Sequence, residues 1–384
     1  MQQNDQEQHE ENRLDGLGAM ALRERNYHLD NGQRVRTDDH DRAISQLHQV
    51  AKEILRAGYP LFSIEHDPRR GSWVRRSPLG ARLLRVFTTN FDRAQMDYPL
   101  HKFSPVMMVF MKFRHLIPFN PASYFDLLMP RHAAEQIFEV AVRALGLLQR
   151  MLRRSYLRRL HNNFRRKAID NFNGLIDSID ALSQRRVSVT ALRFDLYYRR
   201  AGSLPVKFGD QPDVQILDEL MSLRERFHRS LDRRFGGELL GYAWVLEFGR
   251  ERGFHFHYLV FLKHGVPGDD VSLVESLETK WKELTSGRGE FDNVNSRRRG
   301  FRYPAVGRIR LDDPQAVTGL QFLVSYMTLA PLFVKLDIQD RYDTFAKGRF
   351  SAPSDKSGRS KLRPSKSRIK ISVDEAVASR LTFI

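Results

Sequence analysis

The sequence predicts an α+β chain. At its centre is an antiparallel sheet of ferredoxin-like, split βαβ topology, preceded by a mainly helical region. Three observations predict it. Between residues 186 and 330, period-two and helical patterns alternate in the order strand, helix, strand, strand, helix, strand, helix. The two consecutive strands are joined by the short turn "GRERG", bounded by Gly249 and Gly253. Residues 130 to 183 carry helical spacing throughout, so helices and sheet are segregated along the chain.

Residues 1–40 are rich in Gln, Glu, Asp, Asn and Arg, with few large apolar side chains, and read as a disordered tail. From Asp41 to Leu55, apolar Ile44, Leu47, Val50 and Ile54 recur at helical spacing. Residues 60–130 give a mixed pattern. Within them, Ser104 to Phe119 is the most apolar stretch of the chain, but Lys112, Arg114 and His115 interrupt it, so it reads as buried strand or core and not as a membrane span. From Pro130 to Ser183 the helical stripe includes Leu148, Met151, Leu152, Leu157, Leu160 and Phe164, with arginines covering the rest. Those arginines read either as the solvated face of a core-packing helix or as a phosphate-contacting surface. Residues 41–183 are therefore expected to form a helical, basic accessory region.

Arg186 to Tyr198 is β-branched and aromatic, a strand. Asp213 to Phe235 is an amphipathic helix entered after Pro212 and stopped by Gly236 and Gly237. Leu239–Phe248 and Phe254–Leu262 are the two hairpin strands, and Val271–Leu284 is the next helix. Tyr303–Leu311 reads as a strand, and Pro314–Leu329 as a helix with Asp313 as N-cap and proline at its first position. Residues 351–384 are expected to be a basic flexible tail.

Composition narrows the partners. Lys and Arg number 63 against 46 Asp and Glu, a net charge of +17 that favours polyanions through counterion release. There is no cysteine, which excludes disulfides, thiolate metal sites and cysteine nucleophiles. The first 20 residues lack the pattern of a secretory signal, so a cytoplasmic location with no membrane partner is expected.

The chemistry concentrates in "FHFHYLVFL". A strand alternates faces, so His255 and His257 share one side while Phe254, Phe256 and Tyr258 share the other. Folding the hairpin about Glu251 pairs Gly249 with Gly253 and places Glu247 directly opposite His255, with Cβ atoms about 4.5–5.5 Å apart. Two imidazoles and a carboxylate then meet, a donor set for a divalent metal with open positions. A cupin-type site would need a glutamate near positions 261 or 262, where Phe261 and Leu262 stand. His264 follows the strand and reads as a turn residue.

A histidine–hydrophobic–histidine strand in such a sheet resembles the HUH endonuclease superfamily of rolling-circle replication initiators, relaxases and related transposases. In order, "LRFDLYY", "GYAWVLEFGRERGFHFHYLVFL", "SGRGEFDNVN", "VGRIRL" and "FLVSYMTL" are similar to the inovirus-type, gene-two-product-like replication initiation family that includes the YagK/YfjJ C-terminal domain. The likeness covers residues 186–350, which it marks as a nuclease domain built on an HUH hairpin.

The resemblance implies a single-strand DNA nickase that works by tyrosine transesterification to start rolling-circle replication of a phage, prophage or plasmid-like element. It implies Mg²⁺ or Mn²⁺ held by Glu247, His255 and His257, and Tyr326, on the helix after the last strand, as the nucleophile. The implied partners are single-stranded or origin DNA and host replication machinery. Family members commonly carry a lysine one turn after the tyrosine, where this chain has Met327, Thr328, Leu329 and Ala330, and its next lysine is Lys335. This departure keeps a second reading open, a catalytically degenerate domain that binds DNA or regulates. Tyr342 and Tyr303 are reserve nucleophiles. Asp195 is either a neighbour of the metal across the sheet or a structural carboxylate. Arg297, Arg298, Arg299 and Arg302, interleaved with aromatics, are the expected DNA contacts.

Overall fold

The computed structural model describes residues 2–350 apart from 26, 31–32, 37–39, 90, 115–123, 199–206, 208, 250–251 and 349. The first half comprises α1 (Gln2–Arg25), β1 (Tyr27–Asp30), β2 (Gln33–Arg36), α2 (His40–Arg56), β3 (Phe62–Asp67), β4 (Gly71–Arg76), α3 (Pro78–Phe87), α4 (Phe91–Asp97), β5 (His101–Phe103), α5 (Pro105–Arg114), α6 (Arg131–Leu152) and α7 (Ser155–Ser183). The second half comprises β6 (Ser188–Tyr198), α8 (Val214–Phe235), β7 (Leu239–Gly249), β8 (Gly253–Lys263), α9 (Asp270–Leu284), β9 (Gly289–Asn293), β10 (Gly307–Arg310), α10 (Pro314–Thr328), β11 (Val334–Leu336) and β12 (Phe345–Lys347). The chain is thus mixed helix and antiparallel sheet.

The main sheet runs β10-β6-β8-β7-β12, every pairing antiparallel. β9 and β10 share one edge of β6: β10 pairs with residues 188–191 and β9 with residues 194–198. A 3-10 segment, Val294–Gly300, lies in the connection between them. The helices that link these strands start where capping chemistry allows. Asp213 accepts from the backbone N–H of Gln215 at 2.9 Å, Asp269 from Val271 at 3.0 Å and Asp313 from Gln315 at 3.0 Å.

Strand alternation divides the buried side chains between two cores. Phe194, Leu196, Trp244, Phe256 and Tyr258 point to the face covered by Phe227 of α8 and Trp281 of α9. Ala191, Val245, Leu259 and Phe261 point to the other face, where Leu320, Val324 and Met327 of α10 belong to the same core as Phe172 and Leu175 of α7. Burial of each such large side chain contributes ~1.5–3 kcal/mol. The second core continues from Leu14 to Val334, so the boundary expected between residues 183 and 186 is a change of element and not a gap in packing.

Three expectations need correction. Residues 2–25 form helix α1 and not a tail, with Leu14, Leu17 and Ala21 buried at helical spacing. The average composition of residues 1–40 conceals that short stripe. Gly18 lets the helix approach closely, since a Cβ there would lie 2.9 Å from Leu332 Cδ1 and 3.0 Å from the Leu329 carbonyl oxygen. Polar anchors complete the docking: Arg165 donates to Glu11 at 2.9 Å and also bonds Asp15, and Lys52 lies 2.9 Å from Glu11.

The apolar stretch from Ser104 is core, but its element is helix α5 and not a strand. Met107, Phe110 and Phe113 are buried three apart, and the Ser104 hydroxyl accepts from the Met107 N–H at 3.3 Å. Residues 115–119 of that stretch lie outside the described residues. The strand expected at 303–311 is confined to 307–310, because Pro304 has no N–H to offer a ladder. The segment 289–293, not recognised as an element in the sequence, is β9. The expected tail at 351–384 lies outside the described residues.

Candidate metal centre

The centre grows out of the β7–β8 hairpin. Gly249 pairs with Gly253, Phe248 with Phe254 and Glu247 with His255. Gly253 sits at φ +67°, a conformation glycine adopts without strain and one that suits the tight reversal. The period of two then puts Glu247, His255 and His257 on the face turned toward α10, all of them largely buried. One potential ligand atom from each lies within 4.8 Å of the others. His255 Nε2 is 3.9 Å and His257 Nε2 3.1 Å from Glu247 Oε2.

The donor set fits a divalent cation. His255 Nδ1 lies 3.0 Å from the Gly253 carbonyl oxygen, which fixes that nitrogen as donor and leaves Nε2 facing Glu247 as the lone-pair atom. Burial, reinforced by the neighbouring His257, pushes His255 down to about 3, so it is the neutral imidazole that a metal requires. Strand pairing sets Asp195 opposite His257, with Oδ1 2.8 Å from Nδ1. A carboxylate behind a ligating histidine orients the ring and raises its basicity. Asp195 therefore stands behind the candidate ligands, one of the two places the sequence left open for it.

Arg193 and Tyr197 of β6 and Arg252 of the hairpin were missed in the sequence. Arg193, buried, donates to the Phe194 carbonyl at 2.8 Å, bonds Asp195 and approaches His257 Nδ1 at 2.8 Å. Burial lowers its pKa, opposed by Tyr326, Tyr197, Asp292 and Glu247 nearby. Tyr197 stacks on His255 with ring centroids 5.1 Å apart, and its hydroxyl lies 3.3 Å from Asp195 Oδ2 and 3.2 Å from Arg252 Nη1. Burial raises its pKa, so it stays a phenol. The signal for Arg193, Asp195 and Tyr197 was their spacing of two in "LRFDLYY".

Tyr326 projects from α10 onto this cluster. Its ring centroid is 5.3 Å from that of His257, and the Arg193 guanidinium carbon lies 5.7 Å from it. The reserve tyrosines are elsewhere. Tyr342 belongs to the α8–α9 core and bonds Asp218 at 2.7 Å, while Tyr303 stacks on Phe322 at 5.7 Å. Of the four arginines, Arg297 forms a two-pronged bond to Asp292 at 2.6 and 2.8 Å, and Arg298 bonds Asp270 at 2.8 Å. Asp292 faces Asp195 across the β6–β9 pairing; burial would raise its pKa, but the hydrogen bond and charge of Arg297, with Arg193 and Arg252, outweigh that and lower it. Arg299 and Arg302 are exposed, and Arg302 lies over the Tyr303 ring at 5.6 Å.

No family model, curated protein or solved structure matches the chain. Among the described residues, no helix is long and apolar enough to cross a membrane.

Proposed function

We propose that this chain is a metal-dependent tyrosine transesterase that cuts and rejoins one strand of DNA, the reaction that initiates rolling-circle replication of a phage, prophage or plasmid-like element. The observation that carries the reading is the placement of Tyr326 beside His257, at 5.3 Å between ring centroids, where His257 also belongs to the trio with Glu247 and His255. The strand order β10-β6-β8-β7, all antiparallel with α8 and α9 on one face, supports a ferredoxin-like nuclease domain with an HUH hairpin.

Glu247, His255 and His257 would hold the cation, Mg²⁺ or Mn²⁺ by resemblance, although imidazole ligands also suit Zn²⁺. When bound, the cation supplies Lewis-acid polarisation of a phosphate oxygen and a template for alignment. Asp195 keeps His257 oriented. Arg193 holds positive charge 5.7 Å from the centre of the Tyr326 ring. The Tyr326 oxygen forms a bond to phosphorus, its proton passes to solvent, and the phosphorus–O3′ bond breaks. The departing O3′ takes up a proton and becomes a free 3′-hydroxyl, leaving a 5′-phosphotyrosine. That ester retains the phosphodiester energy, so the reverse step rejoins the strand. The partners in this reading are single-stranded or origin DNA and host replication machinery, in the cytoplasm.

The test is an adduct assay. The protein is mixed with single-stranded DNA from its own genetic neighbourhood and Mg²⁺ or Mn²⁺, then run on a denaturing gel beside Tyr326→Phe. A covalent band present in the wild type and absent from the variant is the expected result. DNA binding without any band would favour a binding or regulatory domain of the same fold.

A further inference from the structure

A cleft between helix α7 and the sheet is lined by Glu247, one of the three candidate ligands. Glu247 and Val245 of β7 form one wall, Met327 of α10 another, and Phe164, Lys167 and Asn171 of α7 the third. Helix α7 thus contributes directly to the approach to Glu247, which neither the candidate centre nor the expected role of residues 41–183 accounts for.

The same face of α7 continues outward from the cleft. Tyr156, Leu160, Phe164, Lys167 and Asn171 recur at intervals of four, four, three and four residues, so they form one stripe. Its outer end is open: Tyr156 is 64% and Leu160 39% exposed. Arg159 and Arg166, seven apart, run alongside and are exposed. Residues 140–169 contain no Asp or Glu at all, against eight arginines and one lysine. Among the described residues, Arg165 is the one of these seen to pair with carboxylates, at Glu11 and Asp15. A solvated helix face usually intersperses both signs of charge to form i, i+4 pairs. An apolar and aromatic stripe flanked by cations of one sign matches a strand that offers base faces to stack and phosphates to neutralise.

We infer that this face of α7 is a track for single-stranded DNA, with bases against Tyr156, Leu160 and Phe164, phosphates on Arg159, Arg166 and Lys167, and its inner end at the cleft beside Glu247. The inference rests on the proposed function, whose substrate strand it places. From Tyr156 to Asn171 the helix rises about 22 Å, room for a few nucleotides. A duplex cannot present its base faces to such a stripe, so the track prefers an unpaired strand.

The test is fluorescence anisotropy with labelled oligo(dT) in EDTA across a salt series, which reads binding without metal or cutting. Tyr156→Ala with Leu160→Ala is expected to weaken binding about tenfold. Lys167→Ala is expected to reduce the slope of log affinity against log salt by about 0.7. Tyr156, Leu160 and Lys167 are partly or fully exposed, so the variants should fold, and circular dichroism checks that. Arg229→Ala, on α8 across the sheet, is the charge control and is expected to have less effect than Lys167→Ala. Wild-type affinity in both α7 variants, an equal effect of Arg229→Ala, or equal or tighter binding of oligo(rU) or of the dA·dT duplex would each overturn the inference. Failure of the proposed function is separable. Loss of oligo(dT) binding in the α7 variants of a protein that forms no adduct would leave the track standing without the chemistry. Adduct formation with unaltered α7 variants would leave the chemistry without the track.

Discussion

His257 Nδ1 lies 2.8 Å from Asp195 Oδ1, across a strand pairing that sets the two residues directly opposite each other. The contact turns the other ring nitrogen, Nε2, toward Glu247 at 3.1 Å. Asp195→Asn keeps the shape but removes the charge and the strong acceptor. It is expected to weaken Mn²⁺ affinity about 10- to 100-fold while leaving DNA affinity in EDTA unchanged. Isothermal titration with Mn²⁺ checks this, and unaltered affinity would show that Asp195 does not act through His257.

Replacing His255 and His257 together by alanine is expected to abolish strand cutting and metal binding. Salt-sensitive DNA binding should persist, because it depends on surface cations and not on the centre. Cutting that survives in the double variant, measured on a denaturing gel, would remove the metal from the reaction.

Acid should destabilise the fold through buried histidines. His48 is buried at the junction of α2, α5 and α7, its Nε2 2.7 Å from Ser104 Oγ, and burial pushes it down to about 3. Its ordinary value is 6.5, so between pH 6.5 and 3 the unfolded chain holds a proton there and the folded chain does not. Stability is therefore fully present above pH 6.5 and lost as pH falls toward 3, at up to ~1.4 kcal/mol per pH unit for this residue. Burial likewise depresses His161, to about 3, and His228, to about 4, which adds to the same trend. Urea midpoints at pH 7 and pH 5 measure the drop, and His48→Gln is expected to reduce it. A drop of the same size in that variant would contradict the assignment.

Gly18→Val should test how firmly α1 is docked. The added Cβ meets Leu332 and the Leu329 carbonyl at 2.9 and 3.0 Å, and a backbone oxygen cannot move aside cheaply. A loss of about 1–3 kcal/mol is expected from urea unfolding. A neutral result would mean that α1 is only loosely held.

The hairpin was the most legible part of the molecule. Its register follows from one turn and a period of two, so pairing Gly249 with Gly253 was enough to bring Glu247 opposite His255. The amphipathic helices between residues 130 and 330 were legible for a similar reason, since stripe, cap and stop all lie within one local stretch. The partners of His257 were not. Arg193 and Asp195 reach it only because β6 lies beside β8 in one register, a relation between segments 62 residues apart when counted from Asp195 to His257. Helix α1 was missed for a different reason: a short apolar stripe was averaged into a polar 40-residue window. β9 is only five residues long and leans on β6 for its ladder, so its own sequence says little.

The three candidate ligands come from one hairpin, with His255 eight positions after Glu247, whereas Tyr326 comes from a helix 69 positions beyond His257. Closing the hairpin loop costs little entropy and takes microseconds, while seating α10 requires the non-local sheet to be complete. In the proposed function, cation capture and strand cleavage would therefore belong to different stages of folding. A chain that has formed only its β7–β8 hairpin already has the pieces of the candidate ligand set, and a cation bound at that stage would brace the growing sheet before Tyr326 is in place. In that reading, cation uptake would gauge the integrity of the hairpin, and covalent attachment to DNA that of the whole fold.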